Sequence, residues 1–122
     1  MKAKPLGPLE LVIMRVVWQV KTATVRNVYE ALLKERKIAY TTVMTVMNKL
    51  EKKGYLKKVR QDRAYLYSSS KPQELVIRSM VQEFVTRVFD GSARPLLVHL
   101  VKDRKLSEQD LRDISRLIEE ST

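Results

Sequence analysis

Apolar positions recur at helical spacing along most of the chain, and alternate in a single stretch near the middle. Leu9, Val12, Ile13, Val16, Val17 and Val20 predict a first helix over residues 9–20, with Pro8 opening it. Trp18, in the same segment, reads as a core or seam residue. Thr22-Ala23-Thr24 predicts a short extended piece leading into a helix cap. Val25, Val28, Tyr29, Leu32 and Leu33 then mark a second helix, and Lys37-Ile38 a turn. Val43, Val46, Met47 and Leu50 put one buried stripe on a third helix, residues 40–53, with Gly54 at the position of a left-handed cap. The link between the second and third helices is only a few residues long, as in a helix-turn-helix.

After Gly54 the period changes. Residues 55–60 and 64–67 predict two strands joined by a tight polar turn, Gln61-Asp62-Arg63, with Tyr65 and Tyr67 alternating with Ala64 and Leu66. Helical spacing then returns. Ser70 is the expected cap, and Pro72 the first-turn residue, of a helix running to about Asp90 and stopping at Gly91. Its apolar positions, among them Met80, Phe84, Val88 and Phe89, cover nearly half its circumference. Pro95 opens another apolar segment, with Leu96, Leu97, Val98, Leu100 and Val101. Ser107 and Asp110 have the spacing of a capping box before a last helix striped by Leu111, Ile114, Leu117 and Ile118.

The implied fold class is mainly α with a small β-hairpin: a winged helix-turn-helix domain over residues 1–70, then a helical dimerisation domain over 71–122. Three short helices have too little independent core to bury such faces alone. A second copy related by a two-fold axis is the simplest cover, through Met80, Phe84, Val88, Phe89, Leu97, Leu100, Ile114, Leu117 and Ile118.

Charge sharpens this division. Residues 1–70 hold 15 Lys and Arg against 5 Asp and Glu, and residues 71–122 hold 9 of each, so the net +10 lies wholly in the first part. Lys49, Lys52, Lys53, Lys57, Lys58, Arg60 and Arg63 crowd into the third helix and the hairpin. A basic half joined to a neutral half suits a polyanion-binding module with an appended partner surface. On the third helix, the face opposite the apolar stripe carries Thr41, Thr45, Asn48 and Lys52, flanked by Met44 and Lys49. Threonine can meet a thymine methyl, asparagine can pair with adenine at two points, and lysine reaches guanine or phosphate. A basic hairpin directly after such a helix is a wing, whose tip residue Arg63 would lie near phosphates or the minor groove. Residues 1–6 read as a basic arm.

Other chemistries find little support. There is no cysteine and one histidine, so neither a disulfide framework nor a thiolate or imidazole-rich metal site is expected. None of the three glycines belongs to a phosphate loop, and no Ser/His/Asp spacing occurs. His99 lies in an apolar segment and reads as a core or interface residue. The expectation is a protein that is not an enzyme and takes no cofactor. Glu10 and Arg15 interrupt the first apolar run, so neither a membrane-spanning segment nor a secretory signal is expected, and a cytoplasmic location follows. Two alternatives stay open: sequence-neutral coating of DNA, and a winged-helix module whose partner is another protein.

Four stretches are more specific: LELVIMRVVW (residues 9–18), AYTTVMTVMNKLEKKGYL (39–56), RAYLY (63–67) and LSEQD (106–110). Together they resemble the penicillinase-repressor (BlaI/MecI) family of winged-helix transcriptional repressors, over nearly the whole chain. The resemblance implies a homodimer on a palindromic operator upstream of antibiotic-response genes. It also implies a membrane-bound sensor of β-lactam and proteolytic release by cutting within the dimerisation domain. It assigns recognition to Thr41, Thr42, Thr45, Asn48 and Lys49, with Lys52 on phosphate; Met44, Arg60 and Arg63 complete the expected DNA-binding set. Aligned through LSEQD, the susceptible Asn-Phe bond of the staphylococcal members corresponds here to His99-Leu100, a departure from the family's pattern. The copper-responsive branch of the family senses metal through a cysteine cluster that this chain lacks.

Overall fold

Helix α1 (Pro8–Val20) starts where proline needs no amide partner, and Gly7 precedes it in an extended conformation. The computed structural model describes residues 5–120; residues 1–4 of the expected basic arm lie outside them. Strand β1 (Thr22–Ala23) follows. Thr24 caps α2 (Val25–Leu33) reciprocally, its Oγ1 accepting from the Asn27 amide at 3.1 Å while Asn27 Oδ1 accepts from the Thr24 amide at 2.9 Å. Helix α3 (Tyr40–Lys52) ends in a Schellman motif, with the amide of Tyr55 on the Leu50 carbonyl at 3.0 Å and that of Gly54 on Glu51 at 3.1 Å. Gly54 has φ +88°, a conformation that costs a residue with a side chain far more.

Strands β2 (Leu56–Gln61) and β3 (Ala64–Ser69) form the hairpin in antiparallel register, Lys58 opposite Tyr67 and Arg60 opposite Tyr65. Its turn is tighter than the expected three residues: Gln61 pairs with Ala64, leaving Asp62 and Arg63 as the loop, with Asp62 at φ 54°. The extended piece at Thr22–Ala23 joins β3 on its other side, so the sheet has three strands in the order β1-β3-β2.

The core of this first unit lies where α1, α2, α3 and the sheet converge. Ile13, Met14, Val17, Val28, Val43, Met47 and Leu50 have no exposed surface, and Trp18, Tyr55, Leu56 and Tyr67 are nearly buried with them. Each large apolar side chain so buried contributes roughly 1.5–3 kcal/mol. Trp18, expected in the core or at a seam, is in the core, and its indole N–H donates to Ser69 Oγ at 3.0 Å.

The chain divides into two compact units after Ile77, within α4 (Gln73–Phe89). That helix begins later than expected. Ser70 does not cap it: the Ser70 hydroxyl donates to the Gly54 carbonyl instead, and Pro72 stands just before the helix. Beyond α4 come α5 (Arg94–Lys102) and α6 (Glu108–Glu120). The expected box at the start of α6 is present, with Ser107 Oγ accepting from the Asp110 amide at 3.0 Å and Asp110 Oδ2 from the Ser107 amide at 2.9 Å. Neither α5 nor α6 buries a residue. Among the described residues no helix is long and apolar enough to cross a membrane.

Candidate nucleic-acid interface

Burying Val43, Met47 and Leu50 leaves the other side of α3 outward. Thr41, Thr42, Met44, Thr45, Lys49 and Lys52 are all exposed along it. The N-terminal turn is buttressed by aromatic packing: the Tyr29 and Tyr40 rings meet edge to face at 5.5 Å, and the Arg26 guanidinium lies 5.5 Å from the Tyr40 ring. The far end is anchored by Lys53, whose ammonium lies 2.7 Å from Glu10 Oε1 and donates to the Pro5 carbonyl at 3.2 Å. Burial pushes the Glu10 carboxyl up, but hydrogen bonds from Lys53 and the Gly7 amide outweigh it and hold the group below its ordinary value. Lys53 is therefore structural, and not free to meet an anion.

The hairpin continues the surface. Strand alternation puts Lys58 and Arg60 on the same face as buried Leu56 and Tyr67, so beyond the core that face becomes a row of cations and a phenol. Lys58 Nζ lies 4.8 Å, and the Arg60 guanidinium 6.0 Å, from the centre of the Tyr65 ring. Arg63 is exposed at the tip, and Lys57 on the opposite face. Among the described residues no ion pair involves Lys49, Lys52, Lys57, Lys58, Arg60 or Arg63. Charges without a carboxylate in contact remain available to attract phosphate.

Asn48 differs from its neighbours. It is half-buried, and its Oδ1 accepts from the Tyr67 hydroxyl at 2.8 Å and from Lys58 Nζ at 3.3 Å. The expected set thus omitted the two hairpin residues that touch α3, Lys58 and Tyr67. Lys58 was visible as part of the basic cluster. The tyrosine alternation was visible too, but it does not reveal that Tyr67 reaches Asn48.

In the second unit, Phe84, Val88, Leu97, Leu117 and Ile118 are exposed, while Met80, Phe89, Leu100 and Ile114 are half-buried. Phe84 and Phe89 meet edge to face at 5.8 Å, and the His99 ring lies 6.1 Å from Phe89. His99 is exposed within the single chain, which removes the core alternative for it. No group of carboxylates and imidazoles among the described residues could hold a metal ion.

This geometry agrees with what the chain is similar to. Residues 6–120 match the model of the penicillinase repressor family. The transcriptional regulator BlaI of Mycobacterium tuberculosis is 40% identical over 111 residues, spanning 89% of this chain and 80% of that protein. The methicillin resistance regulatory protein MecI of Staphylococcus aureus is 20% identical over 117 residues, 96% of this chain and 95% of its own. Among solved structures, monomeric Bacillus licheniformis BlaI in complex with the blaP half-operator superposes with a TM-score of 0.52 at 25% identity, covering 60% of this chain and 89% of that one. With a winged-helix fold and a family match across nearly its full length, the chain belongs to the penicillinase repressors, a family of DNA-binding transcriptional repressors.

Proposed function

We propose that the chain is a homodimeric repressor that occupies a palindromic operator and so excludes polymerase from the promoter. Residues 1–70 serve as the DNA-binding domain and residues 71–122 as the dimerisation domain. The observation that carries this reading is the continuity of two surfaces. The hydroxyl-rich face of α3 runs into a wing whose cations have no carboxylate partner. Base edges in a major groove suit the first, and flanking phosphates the second. Thr41, Thr42, Met44, Thr45, Asn48 and Lys49 face the bases, and Lys52, Arg60 and Arg63 the backbone.

Dimerisation is supported by the second unit. Val81, Phe84, Val88, Leu97, Val98 and Val101 remain exposed in a chain that buries nothing in α5 or α6. A second copy covers these faces and sets two recognition helices about 34 Å apart, one helical repeat of DNA.

Family membership supports β-lactam-response or related genes as the regulated set. It also supports a membrane-bound sensor protease, or a protease acting downstream of it, as the agent of release. The candidate cut, His99-Leu100, lies inside α5, and proteases take extended substrate, so release there requires that helix to open.

The test is a fluorescence anisotropy titration at about 0.15 M salt, comparing duplex from upstream of the chain's own gene with scrambled duplex. A preference of roughly a hundredfold or more, saturating at two chains per site, is the expected result. Equal affinity for both would leave only the sequence-neutral electrostatic attraction and favour a DNA-coating protein.

A further inference from the structure

The Lys58–Asn48–Tyr67 cluster joins the recognition helix to both strands of the wing. A lysine ammonium only donates, so the group facing Lys58 must be the Asn48 oxygen and not its NH2, which settles the orientation of the amide. Tyr67 is 2% exposed and needs a partner for its hydroxyl, and that same oxygen accepts from it. Burial raises the phenol above its ordinary value, and the nearby Glu51 carboxylate adds to the effect, so the donor proton is retained. Both lone pairs of Oδ1 are thereby engaged inside the protein. Two-point pairing with adenine requires that oxygen to accept from N6 while the NH2 donates to N7. Only the second half of that pairing is left.

We propose that Asn48 reads its base pair as a donor alone, selecting guanine or thymine over adenine, while its oxygen fastens the wing to α3. Guanine N7 and O6 and thymine O4 are acceptors that the free NH2 can meet. Adenine offers N7 but sets its own N6 donor alongside, with no acceptor left on Asn48 to meet it. Tyr67 and Lys58 are positioning residues in this scheme, acting through Asn48. The base-reading role rests on the operator-binding reading above, whereas the lock between helix and wing does not.

Two measurements test it on the full chain. In the first, every base pair of the half-operator is varied in turn, and affinities are compared for wild type, Asn48→Ala and Tyr67→Phe. At one position the wild type should favour guanine or thymine by roughly tenfold, Asn48→Ala should erase that preference there alone, and Tyr67→Phe should narrow the penalty against adenine. A preference for adenine that Asn48→Ala abolishes, or no position changed by Asn48→Ala, would overturn the proposal while leaving the operator reading intact. Loss of all base discrimination in the wild type would overturn both. The second measurement uses no DNA: the unfolding midpoint of the first unit in Asn48→Ala, Tyr67→Phe and the double variant. The double variant should lose no more than the larger single loss, and additive losses would mean that the two side chains do not act as a pair.

Discussion

Lys53, one residue past α3, holds its ammonium 2.7 Å from the carboxylate of Glu10 in the first turn of α1, and both side chains are nearly buried. The pair ties the end of α3 to the start of the chain's first helix, which fixes the angle between the two. Removing one partner leaves a buried charge without compensation, which typically costs about 3–5 kcal/mol. Lys53→Met should therefore lower the stability of the first unit by about that much, measured by urea unfolding. A loss below 1 kcal/mol would show that solvent screens the pair.

The same pair sets an acid limit. Glu10 titrates below its ordinary value in the folded chain, so its contribution is complete above the unfolded value and is lost as the pH falls through the folded one. Stability of the wild type should decline below about pH 4.5, and Glu10→Gln should flatten that part of the profile.

Residues facing bases and residues facing phosphates should separate in their effects. Thr45→Ala should weaken operator binding by about 1–3 kcal/mol and leave random duplex unchanged. Arg63→Ala should weaken both alike and reduce the salt slope of the dimer by about two, one for each subunit. If each subunit makes four or five phosphate contacts, the dimer should show a slope of log K against log salt near −8. Equal effects of Thr45→Ala on the two duplexes would remove it from the reading face.

Phe84 is 39% exposed in the single chain. Placing a charge there in a dimer would bury it unpaired, so Phe84→Asp should sediment as a monomer at micromolar concentration. It should also bind a half-operator normally and a full operator poorly. A surviving dimer would move the interface to another helix face.

Much of the fold could be read from local rules. Ser107 caps as its spacing to Asp110 predicts, Thr24 caps where the extended piece is expected to lead into a helix, and Gly54 takes the left-handed turn that ends α3, because each depends only on neighbours in sequence. Ser70 has the same cap-like context and fails, because Gly54, distant in sequence but adjacent in space, offers its carbonyl to the hydroxyl. Strand β1 was legible as extended chain but not as part of a sheet, since its partner β3 lies more than forty residues later. The exposed face of α3 follows from its buried stripe. The engagement of Asn48 does not, since it depends on how closely the wing approaches the helix.

The indole of Trp18 donates to Ser69 at the end of β3, and Tyr29, Tyr40, Tyr55, Tyr65 and Tyr67 lie in the same unit. The chain has one tryptophan and five tyrosines, so absorbance and emission excited near 280 nm come from the first unit alone. Far-ultraviolet dichroism registers the helices of both. The molecule is thus labelled on one side only. Melting of α5 and α6 ahead of the rest would appear as lost helix signal with unchanged indole emission, and no dye or engineered probe would be needed to tell the two units apart.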